Sequence, residues 1–225
     1  MAGIMYGIGV GPGDPELMTI KAAKRIRQVD VIAIPHTDKN LCTAYQIAKE
    51  AVPEIEEKEI LSIPMPMTKD KKILKESHDS AAKALMSQLY EGKDVGFITL
   101  GDVSIYSTFS YIIEPLQKNG YPIQFVSGIP SFCAVAAKFS MPLVSGAEQL
   151  HIIPASYQIE DALKLPGVKV LMKAGRQMKA VKKEIQKNGL EAMMIENCGM
   201  QNERIYSSLS EIPEDAGYYS LLIVR

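Results

Sequence analysis

The chain has 225 residues, enough for one large domain or two small ones. Its 25 Lys and Arg against 26 Asp and Glu give a net charge of −1, which argues against a general binder of nucleic acids or anionic membranes. With 47% hydrophobic and 23% charged residues, the composition is that of a soluble globular protein that buries a core without disulfides or metal ions.

Cysteine and histidine are too scattered to predict a bound metal. Cys42, Cys133 and Cys198 form no CxxC pair, and the three histidines form no HExxH or i,i+4 pair. The first residues lack the basic segment of a signal peptide, and no run approaches the ~20 apolar residues of a membrane span. We therefore expect a cytoplasmic protein that uses neither nucleic acid nor membrane.

Short apolar runs alternate with longer amphipathic ones in the first half, which is typical of βα units with parallel strands. The run at Val95–Leu100 is apolar at nearly every position, as expected of a strand buried on both faces. Thr19 is a suitable N-cap for the first helix. The predicted elements are strands at Met5–Val10, Val31–Pro35, Glu59–Ile63, Val95–Leu100 and Ile123–Val126, and helices at Ile20–Gln28, Thr43–Glu50, Ile73–Glu91, Thr108–Gln117 and Ser131–Phe139.

A Pro/Gly-containing stretch at Met141–Glu148 is the predicted domain boundary, which gives domains at 1–145 and 146–225. Connections between the last strands are short, which favours antiparallel pairing. The fold class is therefore α/β, with a mainly parallel N-terminal sheet and a mixed C-terminal sheet. The predicted elements beyond the boundary are strands at Leu150–Pro154, Val168–Lys173, Ala192–Glu196, Arg204–Ser207 and Tyr218–Val224, and a helix at Met178–Asn188.

Four glycines and two prolines fill the loop that follows the first strand, Gly7–Pro15. Alternate glycines would let the backbone lie against a ligand where a Cβ atom would clash. The loop is not a dinucleotide fingerprint, because Pro12 and Asp14 stand where the third glycine would fall. A tight turn is the simpler alternative. A binding role is favoured because ligands of open α/β sheets lie at the carboxyl ends of the strands.

Two more loops follow strands in the same way. Leu100–Thr108 offers Gly101, the carboxylate of Asp102 and three hydroxyl groups, although Asp102 could simply cap the next helix. Ser127–Ser131 offers the unpaired amides of a helix start. Each of these two loops is a weak signal when considered alone.

Taken in order, the three loops resemble the tetrapyrrole (precorrin/uroporphyrinogen) methyltransferases, a family that uses S-adenosylmethionine without a Rossmann fingerprint. The resemblance covers essentially the whole chain. Within the family, the string at Thr99–Phe109 is most similar to the branch that methylates C20 of precorrin-2 or cobalt-factor II in cobalamin biosynthesis. This chain has Val103 at the position where the wider family has the proline of a Gly-Asp-Pro motif. The carrying motifs are GIGVGPGDPELMTIKA from Gly7, Gly101-Asp102 after a buried strand, and VSGIPS from Val126.

The resemblance implies two αβα lobes, a homodimer, and S-adenosylmethionine folded in a cleft between the lobes. It also implies residue roles, carried over by position. The expected cofactor-binding residues are Gly101, Asp102, Val103, Tyr106, Ser131, Phe132, Met172, Asn197 and Cys198. The expected substrate-binding residues are Gly11, Pro12, Gly13, Asp14, Lys173 and Arg176, and no metal ligand is expected.

Methyl transfer from a sulfonium depends mostly on positioning and on exclusion of water. Consistent with this, the glycine loops have no His–Asp or Cys–His arrangement beside them. A proton must still leave C20, and the candidate acceptors are Tyr106, Asp102 or a water molecule. The tetrapyrrole carboxylates need cations, for which Lys39 and Arg204 are further candidates besides Lys173 and Arg176.

The sequence leaves open the metal content of the acceptor and two alternative functions. The acceptor is either metal-free or cobalt-bearing, and the Thr99–Thr108 string favours the cobalt form. One alternative function is a methyltransferase of the same fold that acts on uroporphyrinogen III, another corrin position or a modified protein histidine. The other is a non-catalytic nucleotide-binding module. His36 is interpreted as a surface residue rather than an axial ligand to substrate cobalt.

Overall fold

The computed structural model describes residues 1–66, 68 and 70–225. The chain divides into two compact units, Met1–Pro130 and Ser131–Arg225. The division lies before the helix that begins at Ser131, whereas the sequence placed the boundary after residue 145. This helix groups with the second unit because it packs against a strand of that unit.

The C-terminal residue also ties the predicted boundary stretch to the second unit. The Arg225 guanidinium donates from Nη2 to the carbonyl oxygens of Pro142 and Leu143, both at 2.9 Å. Pro142 and Leu143 are therefore held by a contact within the second unit, which begins at Ser131.

The first unit is a parallel sheet with helices on both faces. Its strands are β1 (Met5–Gly9), β2 (Val31–Ile34), β3 (Glu59–Ser62), β4 (Val95–Thr99) and β5 (Ile123–Val126). Its helices are α1 (Ile20–Gln28), α2 (Thr43–Ala51), α3 (Lys71–Tyr90) and α4 (Ser110–Lys118), with 3-10 turns at Pro15–Leu17, Lys39–Leu41 and Pro53–Glu57. The strand order is β3-β2-β4-β1-β5, and every pair is parallel.

Alternate side chains of β1 and β4 pack against different helices, and all ten positions of the two strands are buried. Ile8 and Ile98 lie in the core beneath α1 and α2. Met5 and Phe97 lie in the core beneath α3 and α4. The chain therefore leaves β1 towards one face and β4 towards the other. That reversal creates the topological switch point at which open α/β sheets bind ligands.

The second unit has a mixed sheet, as the sequence predicted. Its strands are β6 (Leu150–Pro154), β7 (Val168–Met172), β8 (Ala192–Glu196), β9 (Arg204–Tyr206) and β10 (Ser220–Val224), and its helices are α5 (Ser131–Lys138), α6 (Glu160–Leu163) and α7 (Met178–Lys187). The order is β6-β7-β10-β8-β9, with β10 antiparallel to both of its neighbours. The carboxyl ends of β6, β7 and β8 consequently share one edge of the sheet.

Candidate functional site

The three glycine loops of the first unit meet at the carboxyl edge of its sheet. Val10 N donates to Thr99 O at 3.0 Å, which continues the ladder between β1 and β4. Gly11 and Gly101 then exchange two hydrogen bonds, of 3.2 Å and 2.7 Å. The first and second loops are thus joined by main-chain bonds directly above the switch point.

Two glycines of the first loop are required by the protein's own packing, which corrects the expectation that they expose backbone to a ligand. A Cβ atom on Gly9 would lie 2.6 Å from Gly101 O and 2.7 Å from Gly128 N. A Cβ atom on Gly7 would lie 2.5 Å from the Phe109 ring. Both glycines therefore allow close contact between parts of the chain.

Asp102 joins the second loop to the third. Its buried carboxylate accepts hydrogen bonds at Oδ1 from Ser104 N, at 2.8 Å, and from Ser104 Oγ. Its Oδ2 accepts from Gly128 N at 2.9 Å. Through these hydrogen bonds, Asp102 fixes the start of the second loop against the third loop.

Thr19 is a residue to which the sequence assigned only a helix cap. Its Oγ1 accepts from Ala22 N at 3.1 Å, which confirms the cap of α1. The same hydroxyl donates to Ser127 O at 3.1 Å, which connects the first loop to the third. The sequence could not predict this contact, because Thr19 and Ser127 are 108 residues apart. The only signal for it was a polar residue within a glycine motif.

Tyr106 and Val103 point in different directions from the second loop. Val103 is buried with Phe109 in the core, against the bare Cα of Gly7. Tyr106 has a φ of 49° and is 44% exposed. A left-handed backbone is unfavourable for a tyrosine, and such strain is concentrated at functional sites. Tyr106 is thus the stronger side-chain candidate of the two for a ligand contact.

The predicted substrate segment of the first loop is mostly buried. Gly11, Pro12 and Gly13 are buried, and Asp14 is half-buried. The Asp14 carboxylate accepts from Glu16 N at 2.9 Å and caps the 3-10 turn. Gly11 has a φ of 86°, so this position requires glycine for its own conformation.

Four predicted site residues of the second unit lie at the carboxyl ends of β7 and β8. Met172 ends β7, and Asn197 and Cys198 follow β8. Lys173 and Asn197 both adopt left-handed backbones, with φ of 61° and 53°. Lys173 is half-buried, and burial lowers the pKa of its ammonium. Two separate loops at one edge thus carry strained, non-glycine residues.

The other predicted residues of the second unit lie at helical segments. Ser131 begins α5 half-buried, and Phe132 beside it is 8% exposed. Arg176 is exposed within a 3-10 turn at Gly175–Gln177. The turn is close to the segment before β10, since a Cβ atom on Gly175 would lie 2.2 Å from Gly217 O.

Two buried or half-buried carboxylates stabilise the loops at this edge. Glu196 accepts from Gly217 N at 2.6 Å through Oε1. Glu203 accepts from Gly199 N at 2.6 Å and from Lys138 Nζ at 3.1 Å. Burial opposes ionisation of Glu203, but these hydrogen bonds outweigh it and lower the pKa of its carboxyl group. Glu203 therefore fixes the turn that contains Asn197 and Cys198.

We expect Glu203→Gln to destabilise the protein by about 1 kcal/mol at pH 7, because charge-assisted bonds are lost from a partly exposed pair. The folded pKa is below the unfolded one, so the unfolded state binds more protons and the stabilisation is lost as pH falls through the folded pKa. Thermal unfolding should show that the gap in stability between wild type and variant narrows below about pH 4. A gap that widens in acid would contradict this assignment.

The remaining candidates have ordinary local roles. His36 Nδ1 accepts from Asp38 N at 3.0 Å, Lys39 Nζ lies 5.7 Å from the Tyr45 ring centroid, and Arg204 is exposed on β9. Within residues 1–66, 68 and 70–225, no group of three or more His, Cys, Asp or Glu side chains could hold a metal ion. None of the helices in the described part of the chain is long and apolar enough to cross a membrane.

Comparisons with known proteins agree on one family. The family model of tetrapyrrole (corrin/porphyrin) methylases matches residues 5–213. A probable cobalt-precorrin-2 C(20)-methyltransferase of Methanocaldococcus jannaschii is 39% identical over 69% of this chain and 66% of that protein. The cobalt-precorrin-2 C(20)-methyltransferase of Salmonella typhimurium is 30% identical over 100% of this chain and 97% of that protein.

Solved structures show the same fold. A cobalt precorrin-4 methyltransferase superposes with a TM-score of 0.76 at 20% identity, over 98% of this chain and 93% of that chain. A uroporphyrin-III C-methyltransferase from Thermus thermophilus, in complex with S-adenyl homocysteine, superposes with a TM-score of 0.74 at 17% identity, over 99% of this chain and 97% of that chain. At these identities the structural likeness concerns the fold alone.

Proposed function

Because this chain belongs to the tetrapyrrole (corrin/porphyrin) methylase family, we propose that it transfers the methyl group of S-adenosylmethionine to C20 of precorrin-2, with the cobalt-bearing form as the preferred acceptor. The observation that carries the proposal is the identity of 30% across the full chain to a Salmonella protein named for that reaction. The three joined glycine loops at the switch point give the reaction a site of the right kind.

The second loop offers the donor a backbone that is held in place. The buried Asp102 carboxylate joins this loop to the third one through hydrogen bonds from Ser104 and from Gly128 N. Tyr106 in the same loop is exposed and has a left-handed backbone. The proposed cofactor residues are Gly101, Asp102, Val103, Tyr106, Ser131, Phe132, Met172, Asn197 and Cys198.

When bound, S-adenosylmethionine supplies a methyl group that is already activated by the positive sulfur. The C–S bond breaks as the C–C bond to C20 forms, sulfur keeps the electron pair, and C20 loses a proton. The protein's contribution is to align the two reactants and exclude water. Of the two candidate side chains, Asp102 already accepts hydrogen bonds at both oxygens, whereas Tyr106 is 44% exposed, so the proposal gives the proton to water, either directly or relayed through the Tyr106 hydroxyl.

The acceptor requires groups that bind carboxylates. The proposal assigns Lys173 and Arg176 to this role and the segment Gly11–Asp14 to the macrocycle. Burial lowers the pKa of Lys173, and a carboxylate partner would raise it again. Binding of the anionic macrocycle is therefore expected to be tighter when Lys173 is fully protonated.

Donor and acceptor are tested separately. Calorimetry should show binding of S-adenosylhomocysteine and no comparable binding of ATP or NAD. Incubation with labelled S-adenosylmethionine and a panel of cobalt-precorrin-2, precorrin-2 and uroporphyrinogen III should label the first most rapidly. Transfer to a position other than C20 would contradict the proposed acceptor, and failure to bind the adenosyl ligand would contradict the proposed activity.

A second candidate acceptor is uroporphyrinogen III. A uroporphyrinogen-III C-methyltransferase of Bacillus subtilis is 30% identical over 161 residues, 71% of this chain and 58% of that protein. This match is shorter than that to the Salmonella protein, which favours the C20 reaction. The acceptor panel distinguishes the two directly.

The proposal also includes a homodimer in the cytoplasm. Its support is the membership of the family, to which the resemblance attributes a dimer, and the near-neutral charge of the chain. Analytical ultracentrifugation should give twice the mass of one chain, and a monomer at micromolar concentration would contradict it.

A further inference from the structure

One peptide unit in the third loop is held from both sides. Thr19 Oγ1 donates to Ser127 O at 3.1 Å, and Gly128 N donates to Asp102 Oδ2 at 2.9 Å. Ser127 O and Gly128 N belong to the same peptide bond. In a trans peptide these two groups point in opposite directions, so the first and second loops hold opposite edges of one plane.

The α-carbon that follows this peptide is also closely packed. A Cβ atom on Gly128 would lie 2.1 Å from Gly101 O and 2.8 Å from Gly9 C. Backbone from both other loops therefore packs directly against Gly128. Rotation of the peptide would break both hydrogen bonds and leave a buried carboxylate without one of its donors.

We infer that Thr19 and Asp102 are positioning residues that orient the Ser127–Gly128 peptide, and with it the third loop, for ligand binding. Asp102 acts through Gly128 and is not the proton acceptor. Thr19 has two functions, since one hydroxyl caps α1 and holds the peptide. The inference rests on the proposed function for the identity of the ligand, but the held peptide itself is a property of the free protein.

Three substitutions of Thr19 separate the cap from the peptide contact. Thr19→Ser keeps a hydroxyl that can do both. Thr19→Asp keeps an acceptor for Ala22 N but has no proton to donate to Ser127 O. Thr19→Val keeps the shape and loses both bonds. Asp70→Ala is the matched control, because it removes the cap of α3, where Asp70 accepts from Lys72 N and Ile73 N.

Affinity for S-adenosylhomocysteine should follow the peptide contact, and thermal stability should follow the cap. We expect Thr19→Asp and Thr19→Val to bind about tenfold more weakly, Thr19→Ser to stay within about threefold, and Asp70→Ala to lose stability without losing affinity. Hydrogen exchange of the Gly128 amide, followed by NMR in the free protein, should be at least about tenfold faster in Thr19→Asp and unchanged in Asp70→Ala.

Asp102→Asn distinguishes positioning from proton transfer. The amide oxygen still accepts from Gly128 N, while the amide nitrogen in place of Oδ1 loses the hydrogen bond from Ser104 N. We therefore expect kcat to fall by less than about tenfold and its pH profile to keep its acid limb. Loss of a general base typically costs 10²- to 10⁴-fold. Asp102→Ala should accelerate Gly128 exchange and weaken binding more than Asp102→Asn does.

The outcomes separate this inference from the proposed function. If the wild type binds S-adenosylhomocysteine and Thr19→Asp binds it equally well with unchanged Gly128 exchange, the inference is wrong and the function stands. If Gly128 exchange responds as expected but no variant or wild type binds the adenosyl ligand, the held peptide stands and the proposed function fails. A loss of kcat above about 10²-fold in Asp102→Asn, with loss of the acid limb, would make Asp102 the base.

Discussion

Gly128→Ala is expected to destabilise the first unit and to abolish methyl transfer. The new Cβ atom would lie 2.1 Å from Gly101 O and 2.9 Å from Gly9 Cα. Both are main-chain atoms, held by the bridge between Gly11 and Gly101 and by β1. Overpacking of this kind costs about 1–3 kcal/mol, or more where no side chain can move aside. A chain of this size loses about 2–4 °C in Tm per kcal/mol, so thermal unfolding should detect the change readily.

Gly120→Ala is the control for this substitution. Gly120 has a φ of 77°, so alanine there costs about 1–2 kcal/mol in backbone strain, but its Cβ would meet no atom within 4 Å. We expect the control to lose some stability and to retain affinity for S-adenosylhomocysteine measured well below Tm. Gly128→Ala should lose that affinity at the same temperature. An active Gly128→Ala variant, no less stable than the control, would contradict the close packing of the three loops.

Gly175→Ala is expected to have a comparable effect in the second unit. Its Cβ atom would lie 2.2 Å from Gly217 O and 2.8 Å from Ala216 O. Relief of this contact must move either the turn that carries Arg176 or the segment whose Gly217 N bonds to Glu196. We expect about 1–3 kcal/mol of destabilisation and a clear loss of affinity for the ligand.

Gly189→Ala provides the matching control. Gly189 follows α7 with a φ of 64°, and its Cβ would meet no atom within 4 Å. Urea unfolding should show a modest loss of stability for the control and a larger one for Gly175→Ala. Equal losses, together with equal affinity for S-adenosylhomocysteine, would show that the contact between Gly175 and Gly217 does not position the site.

Local patterns were sufficient to predict most elements. The strand predicted at Val95–Leu100 is observed at Val95–Thr99, because a strand buried on both faces leaves an uninterrupted apolar run. The helix predicted at Ile20–Gln28 is observed with those bounds, and Thr19 caps it. The four-residue helix α6 was missed, because so short a segment has too few turns to show a periodic pattern.

Long-range arrangement was not available from local patterns. The insertion of β10 between β7 and β8 depends on pairing of strands that are distant in the chain. The sequence located the glycine loops but misjudged Gly7 and Gly9, because their neighbours are Phe109, Gly101 and Gly128. The role of Thr19 depends in the same way on Ser127.

A crystal structure of the protein with S-adenosylhomocysteine tests the central claim most directly. We predict that the ligand contacts the backbone of residues 101–106 and the Tyr106 side chain, with the Ser127–Gly128 peptide still bound to Thr19 and Asp102. A ligand that binds away from residues 101–106, at a site that involves none of the three glycine loops, would contradict the account.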